Sequence, residues 1–433
     1  MYRAQPSIIC SSIKVWYNER AFYMNKPAFT TDILILGAGI GGYETFRTLK
    51  NQLAKHGLKK QITIVDQNNY FTFTPLLHEV ASGSVEPSHA TVPLREIVYR
   101  THHRFLKARI KKIIADQKIV ETDVGAITYD YCVVALGSGV HFYSISGAEK
   151  YTYNVRTLPE AMRLRTDLIR RIESCENETT VTIVGGGYTG VEVAGQLADL
   201  VRHDVDRLYP DDSVVIKLVQ VGPVLVPSLP ARAQRLILKR LTKLGVKVVL
   251  DSGVKEVKKD SVVLVDDTEH KSNLTVWCAG VGNLAGDYMP PNTCERGRLP
   301  VTEFLTHPSF PSLYGVGDIV CGQNPGSTVP FPQLGEAAHK EGEYVAKHII
   351  ASMGHYHLAP FRFNSLGTLM PIGEGYGLLI KGKFVMSGIV IWWVRRWVYI
   401  MFMPGIVRKL KIISDWTLRK IGFRYIIDIE QKK

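Results

Sequence analysis

The chain has 433 residues, more than one hydrophobic core usually serves, so two or three domains are expected. Its 45% hydrophobic and 21% charged residues are ordinary for a folded protein and exclude a disordered one. A net charge of +13 suits an acidic partner, nucleic acid or a membrane surface. The six cysteines have neither a C-x-x-C pair nor zinc spacing, so no metal site is predicted and a reducing compartment is favoured.

Residues 1–30 are interpreted as an N-terminal extension. They carry scattered basic side chains but no apolar run followed by a cleavage site, which argues against a signal peptide. A transit peptide, a flexible extension and an upstream start before Met24 stay open as interpretations.

The first predicted domain begins with a β-branched run, residues 32–36, followed by a glycine cluster and by apolar residues at helical spacing. A strand–glycine turn–helix unit binds a pyrophosphate, because backbone N–H groups approach it at the positive end of the helix dipole. Gly37, Gly39 and Gly42 occupy the three glycine positions. Asp66 ends the next predicted strand, where a carboxylate accepts hydrogen bonds from ribose hydroxyls.

A second copy of this pattern begins with the strand-like residues 181–184. Its glycines are Gly185, Gly187 and Gly190, but the strand that follows ends at Gln220 rather than at an acid. A neutral amide repels a 2′-phosphate less than a carboxylate does, so discrimination against NADPH is expected to be relaxed. The alternative is that Gln220 only ends a strand. Strands alternating with helices predict an α/β fold with two Rossmann-like dinucleotide-binding domains.

The domain boundaries follow from the order of these patterns. Residues 31–150 form the first part of the first dinucleotide domain, and a helix over 158–172 leads into the second domain, residues 151–289. The first domain is completed by residues 290–358, which include a predicted helix over 336–350.

Two acidic residues and one histidine need separate interpretation. Asp318 follows a small-residue strand end, where a carboxylate meets a ribityl hydroxyl; alone it is typical of a helix N-cap. Glu192 lies two residues beyond Gly190, and its position alone indicates a partly solvated helix glutamate. His78 is interpreted as structural, because no metal partner stands at a suitable spacing.

The tail, residues 359–433, is predicted to be a C-terminal amphipathic membrane-binding region. It holds four of the six tryptophans, and residues 381–433 carry twelve lysines and arginines against three acidic residues. Arg395 and Arg396 interrupt its apolar stretch, so it is expected to lie on an anionic membrane surface without crossing it. A core-packed subdomain or a dimer interface is the alternative. No nucleic-acid partner is expected.

In combination, these motifs resemble those of type II NADH dehydrogenases. These are single-chain, non-pumping NADH:quinone oxidoreductases of the two-dinucleotide-fold flavoprotein superfamily. The likeness spans roughly residues 32–418. The matching stretches are the two glycine clusters, Phe73-Thr-Pro-Leu-Leu77, Val80-Ala-Ser-Gly83, Val134-Ala-Leu-Gly137, Val191-Glu-Val-Ala-Gly195 and Gly315-Val-Gly-Asp318.

The resemblance implies two electrons passing from NADH through FAD to a membrane quinone, with NADPH left open as a donor. It places Glu192 where the family has a glutamate near the flavin, linked to nicotinamide binding or proton delivery. It implies a peripheral, monotopic enzyme on the cytoplasmic face of the cell membrane and leaves a homodimer open. The FAD-binding residues would be Gly37, Gly39, Gly42, Asp66, Gly137 and Asp318; the nicotinamide dinucleotide would meet Gly185, Gly187, Gly190 and Gln220.

One departure concerns the acceptor. The family usually carries two glutamines four residues apart beside the quinone, and the corresponding residues here are Glu336 and Lys340. We predict that Lys340 donates a hydrogen bond to a quinone carbonyl while Glu336 orients it or relays a proton. The alternative is a surface ion pair at i, i+4 spacing.

Two other functions stay open. A sulfide:quinone oxidoreductase would need paired catalytic cysteines near the flavin, which the scattered cysteines disfavour. A flavin-bearing, redox-sensing membrane protein with incidental turnover is compatible with the altered acceptor motif.

Overall fold

The computed structural model describes residues 29–174, 178–354 and 356–418. Nearly all of the predicted N-terminal extension, Cys10, Cys175 and the basic residues beyond 418 lie outside these ranges. The described residues form two compact units. The first lies within Met1–Phe71, Pro93–Ser138 and Asn283–Phe363; the second lies within Thr72–Val92, Gly139–Gly282 and Asn364–Lys433.

The first unit is built on a mainly parallel sheet whose central strand is Phe29–Leu36. This strand pairs in parallel with Ile62–Asp66 on one side and with Gly125–Val134 on the other. Arg104–Lys107 and Phe310–Gly315 extend the sheet, again in parallel. Because parallel strands end at the same edge, the residues that follow these strands are brought together there.

Two long helices of the first unit pack closely on each other. Ile40–Lys55 begins directly after the first glycine cluster, and Gly335–Ser352 confirms the helix predicted over 336–350. Gly342 makes the close approach, since a Cβ on it would lie 2.5 Å from the carbonyl oxygen of Gly41. The glycine cluster is therefore backed by a rigid helix pair.

The remaining elements of the first unit are short strands, short helices and turns. They are the strands Ile110–Ile114, Ile119–Thr122, Leu299–Pro300, Thr306–His307 and Val320–Cys321, the helices Leu94–Val98 and Ala285–Tyr288, and the 3-10 turns Pro291–Thr293 and Gly317–Ile319.

The second unit contains a five-stranded parallel sheet. Its central strand Glu178–Val184 lies between Ser213–Val219 and Leu274–Trp277. The helix Tyr188–Leu200 follows the second glycine cluster. The predicted helix over 158–172 is confirmed as Leu158–Glu173; it is capped by the Thr157 hydroxyl, which accepts a hydrogen bond from the Glu160 N–H.

The C-terminal part of the second unit is a small antiparallel sheet followed by two helices. The strands are Thr368–Pro371, Gly377–Lys381 and Phe384–Gly388, and the helices are Ile389–Phe402 and Ile406–Leu418. Over the described ranges, every helix is too short or too polar to cross a membrane.

The two outer strands of the five-stranded sheet are Thr152–Tyr153 and Lys247–Val249. The other elements of the second unit are the strands Gly139–Val140, Val254–Val257, Ser261–Leu264, Glu269–Lys271 and Val281–Gly282, and the helices Leu77–Ala81, Ala148–Tyr151, Asp206–Leu208 and Ala231–Lys243. A 3-10 turn spans Thr74–Leu76 and a π-helical turn spans Val201–Val205. Short strands cover Tyr70–Thr72 and Thr91–Pro93, of which Thr72, Thr91 and Val92 belong to the second unit.

The two units differ from the predicted domain boundaries. Residues 139–150 fall in the second unit, because Gly139–Val140 pairs with Val281–Gly282. Residues 283–289 fall in the first unit. The described part of the tail from residue 364 belongs to the second unit, where Gly195 packs against the backbone of Ile372.

One buried acid couples the helix Gly335–Ser352 to the turn Gly317–Ile319. Glu341 is 1% exposed and accepts a 2.6 Å hydrogen bond from the Gly317 N–H. Burial raises the pKa of Glu341 to about 8, against the opposing effect of the Gly317 N–H and with a further contribution from Asp318. The folded chain therefore holds a proton on Glu341 at neutral pH.

We predict that Glu341→Gln raises the stability of the protein increasingly as pH rises from about 5 to 8. The folded pKa of Glu341 lies above its unfolded value, so the parent loses stability across this window, by at most about 1.4 kcal/mol per pH unit. Unfolding measured at several pH values checks this. Glu343→Gln is the control, since the hydrogen bond from Lys347 lowers the pKa of Glu343. A pH-independent difference between Glu341→Gln and the parent would contradict the prediction.

Candidate active site

The first glycine loop, residues 37–42, has the geometry of a phosphate-binding turn. Gly37 has a φ of +92°, and a Cβ on it would lie 2.5 Å from the carbonyl oxygen of Ala135. A Cβ on Gly42 would clash with the carbonyl oxygen of Gly37. Around Gly39, by contrast, nothing lies within 4 Å of the Cβ position. The helix N-terminus is thus accessible to an anionic group.

Asp66 closes the first loop from the end of the neighbouring strand. Its Oδ2 accepts a 2.7 Å hydrogen bond from the Ala38 N–H, and its Oδ1 accepts one of 2.7 Å from the Asn68 N–H. Burial raises the pKa of Asp66, and the two backbone hydrogen bonds oppose that rise. A carboxylate oxygen accepts more than one hydrogen bond, so Asp66 retains capacity for ribose hydroxyls.

Asp318 lies inside the turn Gly317–Ile319 and accepts a 2.6 Å hydrogen bond from the Ser138 hydroxyl. The N-cap interpretation of Asp318 is wrong, because the residue in the cap position is Val316. Gly137, directly before Ser138, has a φ of +69°, which favours glycine. Both predicted residues therefore lie near the carboxyl ends of strands in the first unit.

The second glycine loop, residues 185–190, repeats this geometry in the second unit. Gly185 has a φ of +105°, and a Cβ on Gly190 would clash with its carbonyl oxygen. Nothing lies within 4 Å of the Cβ position at Gly187. Gln220 Oε1 accepts a 2.8 Å hydrogen bond from the Gly186 N–H. Gln220 thus closes this loop as Asp66 closes the first one, but without a charge.

Glu192 belongs to a buried cluster of the second unit. Its side chain is 19% exposed, and Oε2 lies 3.8 Å from Nδ1 of His78. His78 on the helix Leu77–Ala81 is 4% exposed. His78 is therefore part of the surroundings of Glu192, in addition to its expected structural role.

Arg395 and Glu79 form a fully buried ion pair next to His78. Arg395 Nη1 lies 2.8 Å from Glu79 Oε1, and Nη2 donates to His78 Nε2 at 3.0 Å. Both partners of the pair are 1% exposed. Trp416 Nε1 donates to the other Glu79 oxygen at 2.8 Å, and Tyr399 stacks on the Arg395 guanidinium at 4.2 Å. With Glu192, the cluster connects four helices of the second unit.

Sequence reasoning missed Glu79 and misassigned the two arginines. The basic count that predicts an anionic membrane surface as partner includes Arg395 and Arg396, but they are 1% and 2% exposed. The physical reason is local: Arg395 pairs with Glu79, and Arg396 stacks on Trp392 at 3.5 Å and on Trp416 at 4.5 Å. The available signal was the pair of adjacent arginines inside an apolar helix. Charged side chains are rarely buried unless they are paired, so these arginines indicate a buried partner elsewhere in the chain.

The cluster gives its acids different charges. Burial raises the pKa of Glu192 to about 7, with Glu79 adding to the rise and Arg395 opposing it. Burial also acts to raise the pKa of Glu79, but Arg395, Arg396 and His78 outweigh it and hold the value at about 2. Burial and then Arg395 lower the pKa of His78 to about 3. At neutral pH Glu79 is ionised, His78 is neutral and Glu192 is poised to exchange a proton.

The predicted pair Glu336 and Lys340 lies in the first unit. Lys340 Nζ is 2.9 Å from Glu336 Oε1 and 5.3 Å from the ring centre of Phe363. The side chains are 30% and 21% exposed for the lysine and the glutamate. The ion pair forms, and its role in catalysis stays a prediction.

Comparisons with known proteins agree with this arrangement. A family model described as pyridine nucleotide-disulphide oxidoreductase matches residues 31–342. The type II NADH:quinone oxidoreductase of Mycobacterium tuberculosis is 24% identical over 428 residues, covering 92% of this chain and 90% of that protein. The type II NADH:quinone oxidoreductase of Staphylococcus saprophyticus is 26% identical over 371 residues, covering 81% of this chain and 91% of that protein.

A solved structure supports the fold. The structure of NDH2 from Plasmodium falciparum in complex with NADH superimposes on this chain with a TM-score of 0.81 at 20% sequence identity. The superposition covers 92% of this chain and 99% of that one. The predicted α/β fold is confirmed, as is the resemblance to type II NADH dehydrogenases. The chain belongs to the pyridine nucleotide-disulphide oxidoreductase family.

Proposed function

We propose that the protein transfers two electrons from NADH, through bound FAD, to a membrane quinone without pumping protons. The observation that carries this proposal is the duplicated glycine loop, with an accessible helix N-terminus at Gly39 and again at Gly187. The relatives' name, type II NADH:quinone oxidoreductase, supports the same reaction.

The residues present fit the two nucleotides. The first loop, with Asp66, Gly137 and Asp318, would hold FAD, since it offers backbone N–H groups to a pyrophosphate and carboxylates to hydroxyls. The second loop would hold NADH, with Gln220 near the adenosine end, where a neutral amide repels a 2′-phosphate less than a carboxylate does. Bound FAD supplies the hydride and electron transfer that side chains cannot provide.

Glu192 is proposed to deliver a proton during turnover. NADH gives up a hydride, whereas a quinone takes two electrons and two protons, so one proton must come from solvent. Glu192 has a pKa of about 7 and a side chain that is 19% exposed, so it is protonated to a useful extent and accessible for reloading. Its place just after Gly190 in the helix Tyr188–Leu200 keeps it beside the second loop.

Lys340 and Glu336 are proposed to serve the acceptor. A lysine ammonium donates a charge-assisted hydrogen bond to a carbonyl oxygen, and Glu336 fixes its direction by the 2.9 Å contact. This assignment gives the departure from the family's glutamines a chemical role.

The C-terminal helices are proposed to bind a membrane surface. In an ordinary amphipathic helix of a soluble protein the charged side chains face water. In Ile389–Phe402 both arginines are instead buried, together with Ile391, Trp392 and Ile400, while most of the other apolar side chains are exposed. Such a face is expected to insert into the lipid interface. The exposed apolar residues of the two helices are Ile389, Val390, Trp393, Val394, Trp397, Met401, Phe402, Ile406, Val407, Leu410 and Leu418.

Basic residues near this face support an anionic membrane as the partner. Lys411 in the helix Ile406–Leu418 and Lys383 in the turn before the strand Phe384–Gly388 are both exposed. Each basic residue near an anionic surface contributes about 1 kcal/mol. The cytoplasmic side and a homodimer stay predictions.

The sulfide:quinone oxidoreductase alternative requires reactive thiols. The four cysteines within the described ranges are free, and burial raises the pKa of Cys132, Cys278, Cys294 and Cys321. A catalytic thiolate requires the opposite shift. The redox-sensing alternative predicts negligible steady-state turnover with quinone, which a turnover assay distinguishes.

We predict that Gly39→Val yields a protein without flavin, whereas Gly187→Val yields a yellow protein that NADH does not bleach. Both glycines have extended backbones that valine adopts and no neighbour within 4 Å, so the added side chain obstructs a ligand and spares the fold. Visible spectra before and after anaerobic NADH check this, with quinone-dependent NADH oxidation by the parent as reference. Identical behaviour of the two variants would overturn the assignment of the loops.

We predict that Lys340→Met slows reoxidation of the flavin by quinone at least tenfold while its reduction by NADH stays near normal. The variant removes the cation proposed to contact the acceptor. Stopped-flow measurement of each half-reaction checks this. Lys347→Met is the matched control, because Lys347 makes a 2.6 Å ion pair with Glu343 on the same helix. Equal reoxidation rates in Lys340→Met and the parent would place the acceptor site elsewhere.

We predict that Val390→Glu with Met401→Glu detaches the protein from anionic phospholipid vesicles. These side chains are 68% and 74% exposed, and inserting each is worth about 1.5–3 kcal/mol, so vesicle affinity should fall more than tenfold. Co-sedimentation measures this. Val265→Glu is the control, at a residue 66% exposed outside the C-terminal helices. Undiminished sedimentation of the double variant would exclude this face as the anchor.

A further inference from the structure

The buried pair of Arg395 and Glu79 needs an explanation beyond stability. Replacing a buried ion pair by apolar residues of similar volume is often neutral or stabilising, so the pair by itself is weak evidence for a stabilising role. The second unit nevertheless fixes it with Trp416, which donates to Glu79, and Tyr399, which stacks on Arg395. Glu79 and Tyr399 therefore fix the position of the Arg395 guanidinium, which also contacts His78.

The contacts of the pair lead to Glu192. Arg395 is always protonated and only donates, so His78 Nε2 must accept its 3.0 Å hydrogen bond. The single proton of the neutral imidazole then lies on Nδ1, the nitrogen 3.8 Å from Glu192. The arginine therefore determines which tautomer His78 presents to the Glu192 carboxyl.

We propose that Arg395 and Glu79 are positioning residues for Glu192. They hold the His78 N–H toward the Glu192 carboxyl, and their opposite charges shift the balance between its ionised and protonated forms. This inference rests on the proposed function only for the role of Glu192 in turnover. The geometry that carries it is the chain of contacts from Trp416 through Glu79 and Arg395 to His78.

The two members of the pair act on Glu192 in opposite directions. Among the residues that the structure describes, the charged and titratable groups around Glu192 include His78, Glu79, Arg395 and Tyr399. Arg395 favours the ionised carboxylate and lowers the pKa of Glu192, whereas Glu79 raises it; Arg395 has the larger effect. Loss of Arg395 should therefore favour the protonated form of Glu192, and loss of Glu79 should favour the ionised form.

The test measures the protonation of Glu192 directly. The infrared carbonyl band of its protonated carboxyl, assigned by its disappearance in Glu192→Gln, is followed against pH in the purified flavoprotein. We expect Arg395→Gln to move the midpoint to higher pH and Glu79→Gln to move it to lower pH. The upward shift is expected even if Glu79 gains a proton in Arg395→Gln, because the effect of Arg395 is the larger.

Activity provides a second readout. If Glu192 must carry a proton, NADH:quinone turnover falls as pH rises past its pKa, and this limb should follow the infrared midpoint in each variant. Arg396→Gln is the matched control, since it removes an equally buried charge from the same helix at a guanidinium that stacks on Trp392 and Trp416. Its midpoint should move much less.

The outcomes separate this inference from the proposed function. Shifts in the same direction, no shift, or an equal shift in Arg396→Gln would overturn the inference, whether or not the parent reduces quinone. Absent quinone turnover in the parent would overturn the proposed function and leave the infrared test intact. If a single variant does not fold, Glu79→Met with Arg395→Met decides, because an apolar pair is tolerated. Its midpoint should lie above the parent's, and an unchanged midpoint would also overturn the inference.

Discussion

The ion pair between Arg395 and Glu79 is the constraint on which much of the second unit depends. An uncompensated buried charge costs several kcal/mol. The helix Ile389–Phe402, which carries Arg395, and the helix Leu77–Ala81, which carries Glu79, must therefore stay in contact for either residue to remain buried. Asp415 adds a second connection, because its Oδ2 accepts a 2.6 Å hydrogen bond from His89 Nδ1. The tail is therefore an integral part of the unit that holds Glu192, and its removal would leave Glu79 without its partner.

The two glycine loops have the same geometry, but the side chain that accepts a hydrogen bond from each loop is an acid in one and a neutral amide in the other. Each loop brings backbone N–H groups to an accessible helix N-terminus, and each is closed by a side chain from the end of the neighbouring strand. Asp66 and Gln220 accept equivalent hydrogen bonds, from Ala38 and Gly186. The geometry thus requires an acceptor at this position but no charge. The choice between acid and amide is left to the chemistry of the nucleotide.

Local patterns predicted the dinucleotide strands, the helices 158–172 and 336–350 and both glycine loops, because each depends on residues close together in sequence. The Arg395–Glu79 pair could not be predicted this way, since its members are 316 residues apart. The domain boundaries also depend on a distant pairing, that of Gly139–Val140 with Val281–Gly282. For His78 and Glu192, only the fold shows that a histidine interpreted as structural faces the glutamate.

The helix Ile389–Phe402 shows why the composition of the tail overstates its surface charge. Counting Arg395 and Arg396 as surface charge assumed that polar residues face water, but a helix at a lipid interface can reverse that order. On the proposed membrane surface its apolar residues would lose little by facing outward, and its arginines can be buried if the protein supplies a carboxylate and aromatic rings. Glu79, Trp392 and Trp416 supply them here. One helix therefore presents an apolar face outward and a charged group to the surroundings of Glu192.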